Sequence, residues 1–170
     1  MGFYQNQIVP FLIDLAMRQR NLAAYRSRVV SAAEGRVLEI GIGSGRNLPF
    51  YSQKVARVIG LDPSPKLLSM ARTNLGADSD RCEFIEGSAE AIPLQNESVD
   101  TVVTTWTLCS IPDAHGALRE AHRILRPGGR LLFVEHGRAA DPGVRWWQDH
   151  LTPVWKRIGG GCHLNRGIES

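Results

Sequence analysis

The stretch Arg36-Val37-Leu38-Glu39-Ile40-Gly41-Ile42-Gly43-Ser44-Gly45-Arg46-Asn47 constrains the fold more than any other part of the chain. Val37, Leu38 and Ile40 form a short apolar run, as a parallel strand buried on both faces requires. Gly41, Gly43 and Gly45 then alternate, which lets the backbone turn tightly and approach a ligand closely. Glu39 sits inside the strand end, where an ionised carboxylate is costly unless something pairs with it. Strand, glycine loop and helix start, in that order, predict an α/β sheet with a ligand above the loop. An ordinary strand-to-helix turn is the alternative.

Two cofactor classes use such a loop. A nicotinamide or flavin site wants Gly-x-Gly-x-x-Gly, with the pyrophosphate on the helix N-terminus. The residue three after Gly43 is Arg46, so that fingerprint fails at its third glycine. The pattern Glu-x-Gly-x-Gly-x-Gly instead resembles the first motif of class I S-adenosylmethionine-dependent methyltransferases. That resemblance implies that Gly41, Gly43 and Gly45 contact the amino-acid portion of the cofactor, with Glu39 in the polar network around it. Asn47 opens an Asn-Leu-Pro-x-Tyr phrase ending at Tyr51, which bacterial phospholipid-amine methyltransferases share, and Asn47 joins the expected cofactor site.

The chain has 170 residues, enough for one domain with a real core. No linker or repeat divides it, so residues 1–170 are read as a single domain. A formal charge of +3, with no long Lys/Arg run, argues against a nucleic-acid partner. No segment approaches the roughly 20 apolar residues of a membrane span. No basic-then-apolar leader opens the chain. Cys82, Cys109 and Cys162 are odd in number and far apart, without paired zinc spacing. They read as reduced thiols of a cytoplasmic protein, and no metal site is expected.

In chain order, Ile8, Leu12, Leu15, Leu22, Tyr25 and Val29 recur at helical spacings, so residues 8–31 are predicted to form one helix. Its interleaved arginines at 18, 20, 26 and 28 suit solvent. It is either a packing helix or an amphipathic lid over the substrate mouth that could touch a membrane surface. A short helix is expected over Asn47–Lys54, then a strand over Val55–Leu61. Asp62 ends that strand, 21 residues past Gly41, where a Rossmann-like site holds ribose hydroxyls. The competing role for Asp62 is to cap the helix Ser64–Asn74, which Pro63 and Pro65 introduce.

Cys82–Glu86 is the third strand. Gly87-Ser88-Ala89-Glu90-Ala91-Ile92-Pro93-Leu94 resembles the family's Gly-Asp-Ala-Glu-x-Leu-Pro loop, which frames adenine. Ser88 stands where many relatives carry aspartate, and a neutral hydroxyl accepts more weakly. The resemblance places Ser88 and the backbone at Ala89 on the cofactor, with Pro63 beside the ribose acid. Val99–Trp106 is the fourth strand. Ligands sit at the carboxyl ends of parallel strands, so Thr105 is expected at the cofactor, and Trp106 and Cys109 at the substrate pocket. Core packing is the alternative for Trp106.

Asp113–Leu125 reads as a helix that Arg126-Pro127-Gly128-Gly129 stops. Leu131–Val134 is the fifth strand, followed by Glu135-His136. The run Glu120-Ala121-His122-Arg123-Ile124-Leu125-Arg126-Pro127-Gly128-Gly129 is similar to the family's Glu-x-x-Arg-Val-Leu-Lys-Pro-Gly-Gly signature. Residues 144–158 place Trp147, Leu151, Val154, Trp155 and Ile158 on one helical face, with a kink at Pro153.

The family resemblance covers residues 35–138. It implies a Rossmann-like, doubly wound sheet in the order 3-2-1-4-5, S-adenosylmethionine as cofactor, and methyl transfer as the activity. Thr107 to Ser110, Glu135-His136 and Gly161-Cys162-His163-Leu164-Asn165-Arg166 look like the branch with alkyl-thiol methyltransferases. That branch implies a small-molecule or lipid-like acceptor, with Trp147 added to the substrate pocket. His136 is the candidate general base, since imidazole titrates in the useful range; a structural histidine is the alternative. A non-catalytic binding module and a nicotinamide-dependent oxidoreductase are the competing functions. The family's C-terminal β-hairpin has no counterpart in the sequence, as in a truncated product. The fifth strand is therefore expected to be covered, by the C-terminal segment folding back or by a second copy in a homodimer.

Overall fold

The computed structural model describes residues 4–75 and 80–167. Five strands form one parallel sheet in the order β3-β2-β1-β4-β5, as expected. They are β1 (Gly35–Ile40), β2 (Val55–Asp62), β3 (Cys82–Glu86), β4 (Val99–Thr105) and β5 (Leu125–Val134). The helices are α1 (Val9–Ala16), α2 (Arg20–Val30), α3 (Pro65–Asn74), α4 (Ala114–Ile124) and α5 (Pro142–Ile158).

β1 is central because its apolar run has a neighbour on both sides. Leu38 lies opposite Ile59 of β2 and Val102 of β4. Successive side chains alternate between faces, which divides the core in two. Leu38, Ile59 and Val102 pack with Ala117, Ala121 and Ile124 of α4. Val37, Val58 and Val103 pack with Val30 of α2 and Leu68 of α3. Covering both faces leaves the ligand rim at the strands' carboxyl ends.

The N-terminal segment departs from the single helix expected over residues 8–31. A turn of π-helix at Tyr4–Ile8 precedes α1, and the chain breaks before α2, with Gln19 extended at ψ 133°. The buried face also differs. Leu12, Leu15 and Tyr25 are 43–57% exposed, whereas Asp14 and Arg26 are buried. Polar partners decide this. The Asp14 carboxylate accepts from Ser44 Oγ at 2.5 Å, Arg46 Nε at 2.8 Å and Arg18 Nη2 at 2.8 Å. Burial alone would raise its pKa, but these bonds hold it below the ordinary value. α1 is thus strapped to the glycine loop by charge-assisted bonds rather than by its apolar stripe.

Two further elements differ. Asn47–Lys54 contains only a short 3-10 turn, Leu48–Phe50, since Pro49 cannot donate to a longer helix. α4 ends without a glycine cap: Leu125 is already extended and opposite Val99, and Arg130 is next opposite Thr101. Arg126–Gly129 form a bulge inside β5, with Gly128 at φ +80°. β5 therefore starts at Leu125, not Leu131.

β5 is the sheet edge, and among the described residues no strand pairs with its outer side. The C-terminal segment does not fold back along it. It crosses the strand ends instead, where His163 N donates to Cys109 O at 2.9 Å.

Asp14→Ala would strand Ser44 and the Arg46 guanidinium without their buried acceptor. It should cost about 1–3 kcal/mol in urea unfolding and speed hydrogen exchange in α1 relative to α2. Unchanged exchange in α1 would show that the strap is not what holds it.

Candidate cofactor and acceptor site

The glycine loop leaves β1 with Gly41, Gly43 and Gly45 all at positive φ, at +70°, +56° and +77°. Their surroundings differ. A Cβ on Gly41 would meet the Thr107 side chain at 2.3 Å, and one on Gly45 would meet Leu48 at 2.7 Å. A Cβ on Gly43 would meet only the Gly41 carbonyl oxygen, at 4.0 Å. Gly41 and Gly45 therefore seat the loop on the protein, while Gly43 presents bare backbone to open space.

Asp62 faces that backbone from the end of β2. Its carboxylate accepts from Gly43 N at 3.0 Å and from Ser64 N at 2.8 Å. Burial raises its pKa against those two bonds, which lower it. The helix-capping role belongs to Ser64, whose Oγ accepts from Leu67 N. Asp62 is left buried at the rim, with lone pairs to spare for a ligand, and Pro63 beyond it is exposed. Such a cradle of backbone and one acid fits the polar end and ribose of a nucleoside cofactor.

Below the loop lies a buried polar network. Asn47 Nδ2 donates to Glu39 Oε1 and to Thr105 Oγ1, each at 2.9 Å. Tyr51 OH donates to Glu39 Oε2 at 2.6 Å, and Arg26 Nε donates to Asn47 Oδ1 at 3.0 Å. Sequence reasoning placed Arg26 in solvent; it is 4% exposed and stacks over the Trp106 ring at 5.0 Å. Its only signal was its spacing within an otherwise ordinary basic helix. Burial pushes Glu39 up to about 7, against the bonds from Tyr51 and Asn47 and the Arg26 charge. Glu39, Asn47 and Thr105 thus brace the loop from below.

The adenine-loop expectation meets a fixed loop. Glu120 Oε2 accepts from Ile92 N at 2.8 Å, and Arg123 Nη2 donates to Ile92 O at 2.9 Å. These two residues of the Glu-x-x-Arg signature hold the loop against α4. Ala89 is buried, whereas Ser88 is exposed and donates to Glu90 Oε2 at 2.9 Å. The Ser88 hydroxyl is engaged locally.

A second group of side chains meets at the ends of β4 and β5. Trp106 leaves β4 at φ +51°, a conformation that bulky residues avoid. Trp106 N donates to Val134 O at 2.8 Å, and Tyr25 meets its ring edge-on at 6.5 Å. The turn delivers buried Cys109 to the rim. His136 follows β5, and its Nε2 lies 3.2 Å from Cys162 Sγ. The donor atoms of Cys109, His136 and Cys162 all lie within 4.8 Å of one another. Hydrogen bonds from Cys109 first, then His136, draw the Cys162 thiol down, and the Cys109 thiol is pushed up in turn. The contact with Cys162 raises His136. In sequence no histidine stands beside Cys109; the fold brings the His136 imidazole near it from 27 residues away. Glu135 Oε1 accepts from Thr107 N and Leu108 N at 2.8 and 3.0 Å, while buried Oε2 has no protein partner.

Trp147 is not gathered into this group. It is 59% exposed on α5 and packs edge-on against Trp146 at 4.9 Å. The apolar stripe of α5 faces outward with it, and the only buried residue of that helix is Thr152. No helix among the described residues is long and apolar enough to cross a membrane.

The raised Glu39 pKa has a defined sign. The folded value, about 7, exceeds the ordinary 4.5, so its contribution to stability is full below pH 4.5 and is lost as pH rises through about 7. Without cofactor, Glu39→Gln should remove this pH-dependent loss, on the order of 3 kcal/mol. Urea unfolding across that window checks it; parallel wild-type and variant profiles would refute it.

A family model described as a methyltransferase domain matches residues 38–133. The chain is 36% identical over 146 residues to thiol S-methyltransferase TMT1B of Homo sapiens, covering 81% of this chain and 58% of that protein. It is 36% identical over 110 residues to a phosphatidylethanolamine N-methyltransferase of Cereibacter sphaeroides, covering 63% of this chain and 53% of that one. The solved structure of YcgJ from Bacillus subtilis superposes with a TM-score of 0.72 at 26% identity, over 86% of this chain and 62% of that one. The chain spans a little over half the length of the curated relatives named here. The glycine loop, the acid after β2, the strand order and the matched domain together make this chain a member of the class I S-adenosylmethionine-dependent methyltransferases.

Proposed function

We propose that the chain transfers the methyl group of S-adenosylmethionine to a small-molecule or lipid-like acceptor, a thiol first among them. The observation that carries this is one rim holding two unlike halves. A bare-backbone cradle at Gly43 and Asp62 suits the cofactor. A Cys-His-Cys group at the ends of β4 and β5 suits a soft nucleophile.

The cofactor supplies an electrophilic methyl carbon on a sulfonium. Backbone at Gly41, Gly43 and Gly45, with Asn47 and Thr105 beneath, holds its amino-acid end. Asp62 takes the ribose, with Pro63 beside it, and the Ser88–Ala89 loop takes the adenine. Trp106 and Cys109 line the acceptor side. In-line displacement needs alignment more than a protein nucleophile, so proton removal from the acceptor is the chemistry left to side chains. It falls to the group containing His136. Exposed Phe11, Leu12 and Leu15 on α1, with Trp147 and Val154 on α5, support an acceptor with apolar character and leave contact with a membrane surface open to test. The three free thiols suit a reducing, cytoplasmic setting.

Calorimetry with S-adenosylmethionine, S-adenosylhomocysteine and NADH side by side tests the cofactor, and methylation of an alkyl thiol tests turnover. The first two should bind and NADH should not. Binding without turnover would favour a non-catalytic module. Asp62→Ala should weaken cofactor binding by about 1.5–3 kcal/mol; unchanged affinity would remove the ribose assignment.

A second copy of the chain lying across the outer edge of β5, where Phe133 is 51% exposed, is the edge cover we propose. Light scattering should then give a dimer. A monomer with fast-exchanging amides along Leu131–Val134 would rule it out.

A further inference from the structure

We infer that Cys109, His136 and Cys162 form a three-ligand site for a thiophilic divalent cation, Zn(II) by its donor set, with the fourth position left to the acceptor sulfur. The cation site stands on geometry alone; its role in activating a thiol rests on the function proposed above.

The three donors come from three separate places in the chain: the turn after β4, the end of β5 and the segment after α5. Nothing in local structure requires them to converge, yet all three donor atoms lie within 4.8 Å of one another. Cys162 Sγ and His136 Nε2 are 3.2 Å apart. Zn–S bonds near 2.3 Å and Zn–N bonds near 2.0–2.1 Å place tetrahedral ligand atoms roughly 3.3–3.8 Å from one another. The group therefore needs side-chain adjustment of about 1 Å at most to close on an ion. Two thiolates and an imidazole are the ligands that soft and borderline cations prefer over oxygen sites.

The surroundings hold the donors in place. His163 N donates to Cys109 O at 2.9 Å, which ties the third ligand's segment to the first ligand's backbone. Arg166 Nη1 bonds the carbonyls of Leu108 and Ile111, on either side of Cys109. Gly161, at φ +88°, makes the turn that brings Cys162 back. Glu135 anchors the Thr107–Leu108 backbone through one oxygen, while the other is buried with no protein partner.

Three protein ligands with an open fourth position mark a reactive metal site rather than a structural one. There the acceptor R–SH binds through sulfur and releases its proton to solvent, since a coordinating thiol ionises outright. A sulfur electron pair then forms the bond to the methyl carbon. The carbon–sulfonium bond breaks with its pair going to sulfur, leaving S-adenosylhomocysteine. The sum is R–SH plus S-adenosylmethionine giving R–SCH₃, S-adenosylhomocysteine and one proton. His136 then serves as a ligand, not as a free base.

The full chain, reduced and freed of metal, should bind one equivalent of Zn(II). Titrated with Co(II) as the spectroscopic probe, it should give a thiolate-to-cobalt charge-transfer band and the visible bands of a tetrahedral site. Cys162→Ser and His136→Gln should each lose the band while still binding S-adenosylmethionine by calorimetry, which shows that they fold. Cys82→Ser, on β3, should keep it. Absence of a band in the reduced wild type, or its survival in Cys162→Ser, would overturn the site. So would a Cys109–Cys162 disulfide that resists reduction by excess dithiothreitol. Cofactor binding is read separately, so loss of the metal site and loss of the methyltransferase reading are distinguishable.

Discussion

The amide of Asn47 is the interaction on which the rest of the site depends. One side chain donates to Glu39 of β1 and Thr105 of β4, and accepts from Arg26 of α2. It joins two strands, a helix and the glycine loop within a volume that excludes water. An unpaired buried polar group costs more than a made bond returns, so the network is stable only when complete. Tyr51 closes it at the far oxygen of Glu39. The loop above can then offer the backbone of Gly43 without collapsing into the space that a ligand needs.

The sheet was legible in the sequence because its strands are buried on both faces. Val37-Leu38 and Val102-Val103 leave no polar face to confuse the period, and the order 3-2-1-4-5 is what the family resemblance implied. The N-terminal segment misled for the opposite reason. Its apolar stripe is real, but the buried positions are Asp14 and Arg26, single polar residues whose partners lie 30 and 21 residues away. Helical periodicity measures the apolar face and is blind to a charge that folds inward to meet another. The Pro-Gly-Gly run misled because glycine after a helix usually reads as a cap. Here Leu125 had already entered the strand, and the glycines absorb a bulge opposite Asp100.

Of the Cys-His-Cys group, Cys109 and His136 were legible as site candidates, Cys162 only as a reduced thiol, and the three not as a group. Cys109, His136 and Cys162 are separated by 27 and 26 positions, and no spacing rule for metal or nucleophile sites joins them. Parallel topology brings Cys109 and His136 together, and the segment after α5 brings Cys162 to them. Every strand of such a sheet delivers its carboxyl end to one rim, so residues just after β4 and β5 become neighbours whatever their distance in sequence.

That topology also explains why the two halves of the site are built differently. The proposed cofactor half stands on the ends of β1, β2 and β4 and on a glycine loop braced from below. The proposed acceptor half hangs on a strained Trp106, on Glu135 holding two backbone amides, and on a C-terminal turn pinned by Arg166. A residue such as Trp106 at φ +51° persists only where its surroundings outweigh the strain, of about 1–3 kcal/mol. Arg26 stacked on its ring supplies part of that restraint and also completes the network under the glycine loop. One guanidinium therefore bears on both halves. Its removal would loosen the cofactor loop and free the turn that presents Cys109, coupling the two sites through packing rather than through any direct contact between their ligands.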